Sequence, residues 1–393
     1  MSIYHVHLST AVKLIESYDG VMPFANYLKH FFSFNKKYGS RDRKNIASFC
    51  YQYFRMGDAV NAVSTQERIL IGHFLCSFEP SEMMEKLKPD WNRNIHLNQN
   101  QKVKLISDFF NPEILFRYRH FLCDGVDSQN LSISYLSQPD LFIRIRPKNR
   151  IGTLNKLEKY LPDYILTNED CVRLDSTTKV EEFFTIDKEV VIQDFNSQKV
   201  LDYFKPQNAD YKTPLTTVWD CCAASGGKSI LINDIFNARI ELTVSDIRPS
   251  IIFNLHKRFN KAGIKNYNYF IADISSESFS YPLPPQQIII CDVPCSGSGT
   301  WSRTPEQLLH FDEKLILQYQ NTQKKIVENV LPYLAKNGFL VYITCSVFKQ
   351  ENDEVVEFLT KEFSLQVVSK KVLSGDSEKA DSMFVAILQK VTA

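Results

Sequence analysis

The chain reads as three parts: an all-α N-terminal domain, a small α+β module and a C-terminal α/β domain of Rossmann-like type. Three observations predict this. Over the first ~125 residues apolar side chains recur at spacings of three and four, and Gly and Pro are sparse. Turn formers at 124–132 then give way to an alternating segment. Beyond residue 195, short apolar runs alternate with helical patterns, as in a mostly parallel, doubly wound sheet. The boundaries that follow are 1–125, 126–195 and 196–393.

In the first part, Ser40 can cap a helix that places Ile46, Phe49, Cys50, Tyr53 and Phe54 on one face. Ser64 and Glu67 form a capping-box pattern ahead of Ile69, Leu70, Ile71, Phe74 and Leu75. In the second part, Leu141, Ile143 and Ile145 alternate with Phe142, Arg144 and Arg146, which predicts a strand. In the third, strands are expected at Thr216–Trp219, Glu241–Val244, Tyr267–Ile271, Gln287–Ile290, Phe339–Ile343 and Met383–Leu388. One of the intervening helices is expected to end at Asn337-Gly338.

Composition narrows the class. No apolar run reaches the ~18 residues of a membrane span, and the first 20 residues, with Lys13, Glu16 and Asp19, do not read as a signal peptide. The nine cysteines include no CxxC pair and no zinc spacing. A cytoplasmic monomer with reduced thiols, no metal and no membrane attachment is expected. The net charge of +1 conceals an asymmetry. Residues 1–150 hold 20 Lys/Arg against 14 Asp/Glu, a balance of +6, leaving 26 against 31 in the remainder, a balance of −5. A basic front half suits phosphate contacts and equally fits an ordinary solvated surface.

Ligands of an open α/β sheet bind beyond the carboxyl ends of its strands. The first such end leads into Cys222-Ala223-Ala224-Ser225-Gly226-Gly227-Lys228-Ser229. A P-loop would need glycine where Cys222 stands, so a nucleotide triphosphatase is excluded. The next three strand ends carry Asp246, Asp273 and Asp292. Each alone reads as a surface carboxylate. Together with the glycine loop they suit an adenosine-bearing cofactor with a positive centre, such as S-adenosylmethionine. Cys295 follows the fourth strand and Cys345 the fifth, so both open onto one crevice although 50 residues apart. Cys50, Cys76, Cys123 and Cys171 read as buried small hydrophobes, and Cys291 as a packed strand residue.

These segments resemble the Sun (Fmu) type RNA cytosine-5 methyltransferases. Cys222 to Ser229 is similar to the family's CAAPGGKT loop, Asp292-Val293-Pro294-Cys295-Ser296-Gly297 to its DAPCSGxG motif with Arg303 and Pro305-Glu306 beyond, and Thr344-Cys345-Ser346 with Glu351-Asn352 to its TCS…EN motif. Gln193-Asp194 with Ser197-Gln198, and Met383-Phe384-Val385-Ala386, also resemble family segments. The resemblance implies a class I methyltransferase domain using S-adenosylmethionine. Its cofactor contacts would be Cys222, Ala223, Ala224, Ser225, Gly226, Gly227, Lys228, Asp246, Asp273 and Asp292. Cys345 would be the nucleophile adding to cytosine carbon 6, Cys295 the residue that assists product release, and Asp292 and Lys228 their catalytic partners. A reacting thiol must ionise more readily than free cysteine, at ~8.5, which Lys228 or a helix N-terminus can supply.

The front half resembles the NusB-like helical domain of bacterial rRNA members, through Ser40-Arg41-Asp42-Arg43 and Tyr51 to Arg55. By the same resemblance the middle module, 126–195, corresponds to the RNA-contacting α+β segment of those members. The two together imply an RNA partner, small-subunit rRNA ahead of tRNA, contacted by Arg144, Arg146, Lys148 and Arg150 of the middle module and by Arg303. Ser225 and Val293 depart from the family's usual proline and alanine, and neither change removes a reacting group. A DNA cytosine-5 methyltransferase would lack the second cysteine. A decayed, RNA-binding ribosome assembly factor would have no need of both cysteines, Lys228 and the three acids.

Overall fold

The computed structural model describes residues 3–60, 63–205 and 215–391. The chain forms two compact units. The first is residues 1–122, 126–138 and 300–313; the second is 123–125, 139–299 and 314–393. This differs from the three consecutive parts expected from sequence.

The first unit is helical, with α1 (Ile3–Glu16), α2 (Phe24–Phe34), α3 (Ser40–Phe54), α4 (Thr65–Cys76), α5 (Glu82–Leu87), α6 (Pro89–Arg93), α7 (Gln99–Leu105) and α8 (Ser128–Ser134). Ser40 is the first helical residue of α3 rather than its cap: Gly39 holds that position, and its N–H is taken by Asp42 Oδ2 at 2.9 Å. At α4 the expected cap is present, Ser64 Oγ accepting from the Glu67 N–H. Helices α1 and α3 pack together, and Ile46, Cys50 and Phe54 of α3 and Leu8, Ala11 and Leu14 of α1 are buried. Two later segments join this unit for identifiable reasons. The buried Arg55 guanidinium donates to the carbonyls of Tyr135 and Ser137, both at 2.9 Å, which ties in the end of 126–138. Glu306 Oε1 accepts from the Phe24 N–H, and the Tyr118 hydroxyl donates to the Phe311 carbonyl, which ties in 300–313.

The second unit contains two sheets. The smaller is antiparallel, in the order β2 (Ile165–Leu166), β3 (Cys171–Leu174), β1 (Leu141–Ile145), β4 (Val190–Ile192). It packs Ile143, Ile145 and Val172 against Leu157 of α9 (Arg150–Tyr160). The alternation read from sequence is present, but the opposite face of β1 is buried as well. Phe142 stacks on Phe195 with ring centroids 5.5 Å apart, and Arg144 and Arg146 are 5% and 8% exposed.

The larger sheet runs β10 (Leu365–Leu373), β11 (Met383–Lys390), β9 (Leu334–Thr344), β8 (Gln286–Asp292), β5 (Thr216–Asp220), β6 (Ile240–Asp246), β7 (Tyr267–Ile271). Strands β5 to β9 are parallel, and β10 and β11 are antiparallel to their neighbours. From β5 the chain builds outward through β6 and β7, then returns to add β8 and β9 on the other side. The order therefore reverses between β5 and β8, where a doubly wound sheet opens its ligand crevice. Apolar cores cover both faces, one centred on Val218, Leu242 and Ile290, the other on Trp219, Ile289 and Leu340.

All six strands expected in this domain are present, and β10 is one more. One helix boundary was misplaced. The helix before β9, Lys314–Val330, ends at Val330, and Asn337-Gly338 lies inside β9. There Gln286 pairs with Leu334 and Ile288 with Phe339, so the extra residues bulge, with Asn337 at φ +59°. The residue pair that suits a helix C-cap suits a bulge for the same reason, its tolerance of positive φ. Among the described residues no helix is long and apolar enough to cross a membrane.

Candidate active site

Strand β5 ends at Asp220, and the loop after it enters α10 (Gly227–Ile235). Gly226 makes that turn at φ +82°, and a Cβ there would lie 2.6 Å from the Phe259 ring, so the position needs glycine. Ser225, where the resembled motif has proline, is held by other means. Arg258 donates to its hydroxyl at 2.9 Å and its carbonyl at 3.0 Å, and itself pairs with Asp187 at 2.7 Å.

The crevice at the switch point is about 530 Å3. Its walls include Cys222, Ala224, Asp246, Asp273 and Asp292, with Cys295 and Cys345 at one side and apolar Ile247, Ala272 and Ile274 at another. Of the expected cofactor contacts, these five meet there. Asp246 accepts from the Ala224 N–H at 3.0 Å and from the Arg248 guanidinium at 2.9 and 3.1 Å. Burial would raise its pKa, but these donors outweigh burial and hold it below the usual carboxylate value. The Arg248 side chain is 56% exposed, so a hydroxyl-bearing ligand can replace it against Asp246. Asp273 Oδ1 is engaged in a local turn with the Ser275 N–H and hydroxyl.

Asp292 and Lys228 form an ion pair at 2.5 Å, largely out of solvent. Burial works against the ammonium charge of Lys228, yet Asp292 outweighs it and raises the pKa, with Cys345 near enough to add to the effect. The Cys295 and Cys345 sulfurs lie 3.3 Å apart at the ends of the adjacent parallel strands β8 and β9. Contact with the Cys345 sulfur, burial and the nearby Glu351 charge push the Cys295 thiol well above its ordinary pKa.

Two groups here were not singled out from sequence. Glu351, named before only as part of a motif, is fully buried beneath both cysteine loops. Asp220 is also fully buried. Its Oδ2 accepts from Ser229 Oγ at 2.6 Å, and Oδ1 has no hydrogen-bond partner among the described residues. Burial above all, with Asp292 adding and the Ser229 hydroxyl opposing, raises its pKa to about 7. From pH ~4 to 7 the unfolded chain has therefore lost a proton that the folded chain keeps, so stability falls as pH rises. The slope is at most about 1.4 kcal/mol per pH unit. Asp220→Asn should remove this loss. Urea denaturation at pH 5 and pH 7 checks it, and parallel pH dependence in the two proteins would count against the assignment.

Two of the expected RNA contacts need correction. Arg144 and Arg146 do not face solvent: they share Asp234 of α10, at 2.7 and 2.5 Å, and Arg146 also donates to the carbonyls of Asp187 and Ala262. Their positive charge is consumed inside the second unit. Lys148 is exposed, Arg150 is half-buried and paired with Asp170, and Arg303 is an exposed residue of the helical unit.

Comparison with known proteins bears on this site. Residues 203–389 match the family model described as 16S rRNA methyltransferase RsmB/F. A ribosomal RNA small subunit methyltransferase F from Vibrio atlanticus is 30% identical over 156 residues, covering 39% of this chain and 32% of its own. The chain thus spans about a third of that relative's length. PH0851, a solved structure, superposes with TM-score 0.69 at 15% identity, over 99% of this chain and 100% of its own. NSun6 from Pyrococcus horikoshii, solved with SFG, gives TM-score 0.59 at 13% identity, over 72% and 98%. At these identities the two structures establish a shared fold.

Proposed function

We propose that this protein methylates carbon 5 of a cytosine in RNA, a reading supported by the match of residues 203–389 to the RsmB/F methyltransferase family model. Small-subunit rRNA is the favoured target, ahead of tRNA, and the route is a covalent cysteine adduct. The observation that carries this reading is the pair of thiols 3.3 Å apart beside an acid-lined crevice. One thiol serves to add to a ring and a second serves a later step, an economy that a non-covalent transfer would not require.

The crevice fits S-adenosylmethionine, which supplies an electrophilic methyl group when bound. Asp246 would accept from ribose hydroxyls, Ile247 and Ile274 would cover the adenine, and the loop from Cys222 to Lys228 would approach the amino-acid end, with Asp273 and Asp292 at the rim. Cys345 Sγ forms a bond to cytosine carbon 6, and the carbon 5–carbon 6 π pair becomes available at carbon 5 for methylation. Asp292, held by Lys228, stands to stabilise charge at ring nitrogen 3. Loss of the carbon-5 proton then breaks the sulfur–carbon bond and restores the ring, a step assigned to the neighbourhood of Cys295. Lys148, Arg150 and Arg303 are the basic residues assigned to RNA, together with the helical unit.

Incubation of small-subunit rRNA and tRNA with methyl-labelled S-adenosylmethionine, followed by nucleoside analysis, tests the reading. Label in 5-methylcytidine from rRNA is expected; label in another nucleoside, or in none, overturns it. Asp246→Ala should weaken cofactor binding by ~1–3 kcal/mol. Unchanged affinity by calorimetry would remove Asp246 from the cofactor site.

A further inference from the structure

We propose that Glu351 is a positioning residue that sets the two thiols against each other: a single buried carboxylate holds the residue that follows each reacting cysteine. The inference rests on the covalent reading above and adds to it the group that organises both sulfurs. Glu351 Oε1 accepts from the Ser296 N–H at 2.8 Å and from Gln323 Nε2 at 3.0 Å. Its Oε2 accepts from the Ser296 and Ser346 hydroxyls, each at 2.5 Å. Ser296 follows Cys295 and Ser346 follows Cys345. The Tyr342 hydroxyl closes the arrangement from below, donating to the Glu351 carbonyl at 2.5 Å, with Gln323 Oε1 3.1 Å away.

Four donors on two carboxylate oxygens use every acceptor position the group has. The oxygen facing the Ser296 N–H must accept, so a glutamine would have to turn its N–H2 group to the two serine hydroxyls. Both hydroxyls would then have to rotate from donor to acceptor, and the 2.5 Å charge-assisted contacts would lengthen, which moves the residues beside the sulfurs. The loops are also joined directly, the Gly299 N–H donating to the Cys345 carbonyl at 2.8 Å and the Val347 N–H to Ser298 Oγ at 2.9 Å; the carboxylate adds the tie at the two residues beside the sulfurs, so a movement there changes the distance between them. A displacement of about 1 Å in a reacting group can cost ~100-fold in rate. The carboxylate also places a negative charge near Cys295, adding to the contact with the Cys345 sulfur and to burial, which push that thiol up.

The experiment uses the full chain carrying Glu351→Gln. Its kcat should fall about 100-fold, with KM for RNA and calorimetric affinity for S-adenosylmethionine within about threefold of the wild type. Iodoacetamide alkylation of each cysteine, followed by mass spectrometry without RNA or cofactor, is the second readout. The Cys295 profile should move to lower pH once the neighbouring charge is removed. A wild-type kcat and alkylation profile overturns the proposal, and so does cofactor affinity falling in step with kcat, which marks a general loss of fold. Alkylation does not depend on the methyl acceptor. A shifted profile in a protein that makes no 5-methylcytidine would refute the covalent reading and leave Glu351 in its role. Should Glu351→Gln not fold, Ser296→Ala removes one of the hydroxyls and leaves the carboxylate, and must lower kcat and change the Cys295 alkylation profile for the proposal to stand.

Discussion

Cys345→Ala should abolish methyl transfer, and Cys295→Ala should instead trap a long-lived protein–RNA adduct. The expectation follows from the separate roles of two sulfurs 3.3 Å apart. Without Cys345 no thiol is assigned to attack carbon 6, so carbon 5 stays too electron-poor to accept a methyl group. Without Cys295 methylation proceeds and elimination stalls. The base must leave its stack to meet either sulfur, so an unpaired segment should react faster than folded RNA. Denaturing electrophoresis with labelled target RNA and cofactor reads the result directly, as a shifted band for Cys295→Ala and none for Cys345→Ala. The reverse pattern would exchange the roles. Full turnover without a band in both variants would sink covalent catalysis by this pair.

The second large effect concerns stability. Asp234→Ala should destabilise the second unit by about 3–5 kcal/mol, the usual cost of leaving a buried charge unpaired. Asp234 is the shared partner of Arg144 and Arg146, and all three side chains are at most 10% exposed. Replacing all three together, with Arg144→Met, Arg146→Met and Asp234→Leu, should cost much less, because no charge is then left in the interior. Denaturant titration of the two proteins separates the cases. A loss below about 1 kcal/mol in Asp234→Ala would mean that water reaches the arginines.

That cluster also marks where reading the sequence stopped. The alternation of β1 was legible, because period two is written in consecutive residues. What covered its second face was not, because Asp234 lies 90 residues from Arg144. The arginines therefore looked like a solvent-facing row. Strand ends with Asp246 and Asp292, and the two cysteines, were legible because sheet topology brings successive carboxyl ends together whatever lies between. Glu351 was visible only as a letter in a motif, since its role depends on three partners from three segments. Asp220 passed unremarked because burial, not residue type, makes it unusual. The Asn337-Gly338 pair reports positive φ faithfully but does not say whether a helix stops or a strand bulges.

The buried Arg–Asp contacts also determine how this chain can be divided. The onset of alternating strand and helix patterns places a seam near residue 195, and a gene fragment beginning there would encode all seven strands of the larger sheet. It would also leave Asp234 without both arginines and Arg258 without Asp187. Arg258 is the residue that holds Ser225 in the loop after β5, whose Cys222 and Ala224 line the crevice, so the damage would reach the crevice itself. The four-stranded sheet and the larger sheet are therefore held together as one piece, and a cut at that seam would yield a fragment with the loop after β5 unmoored.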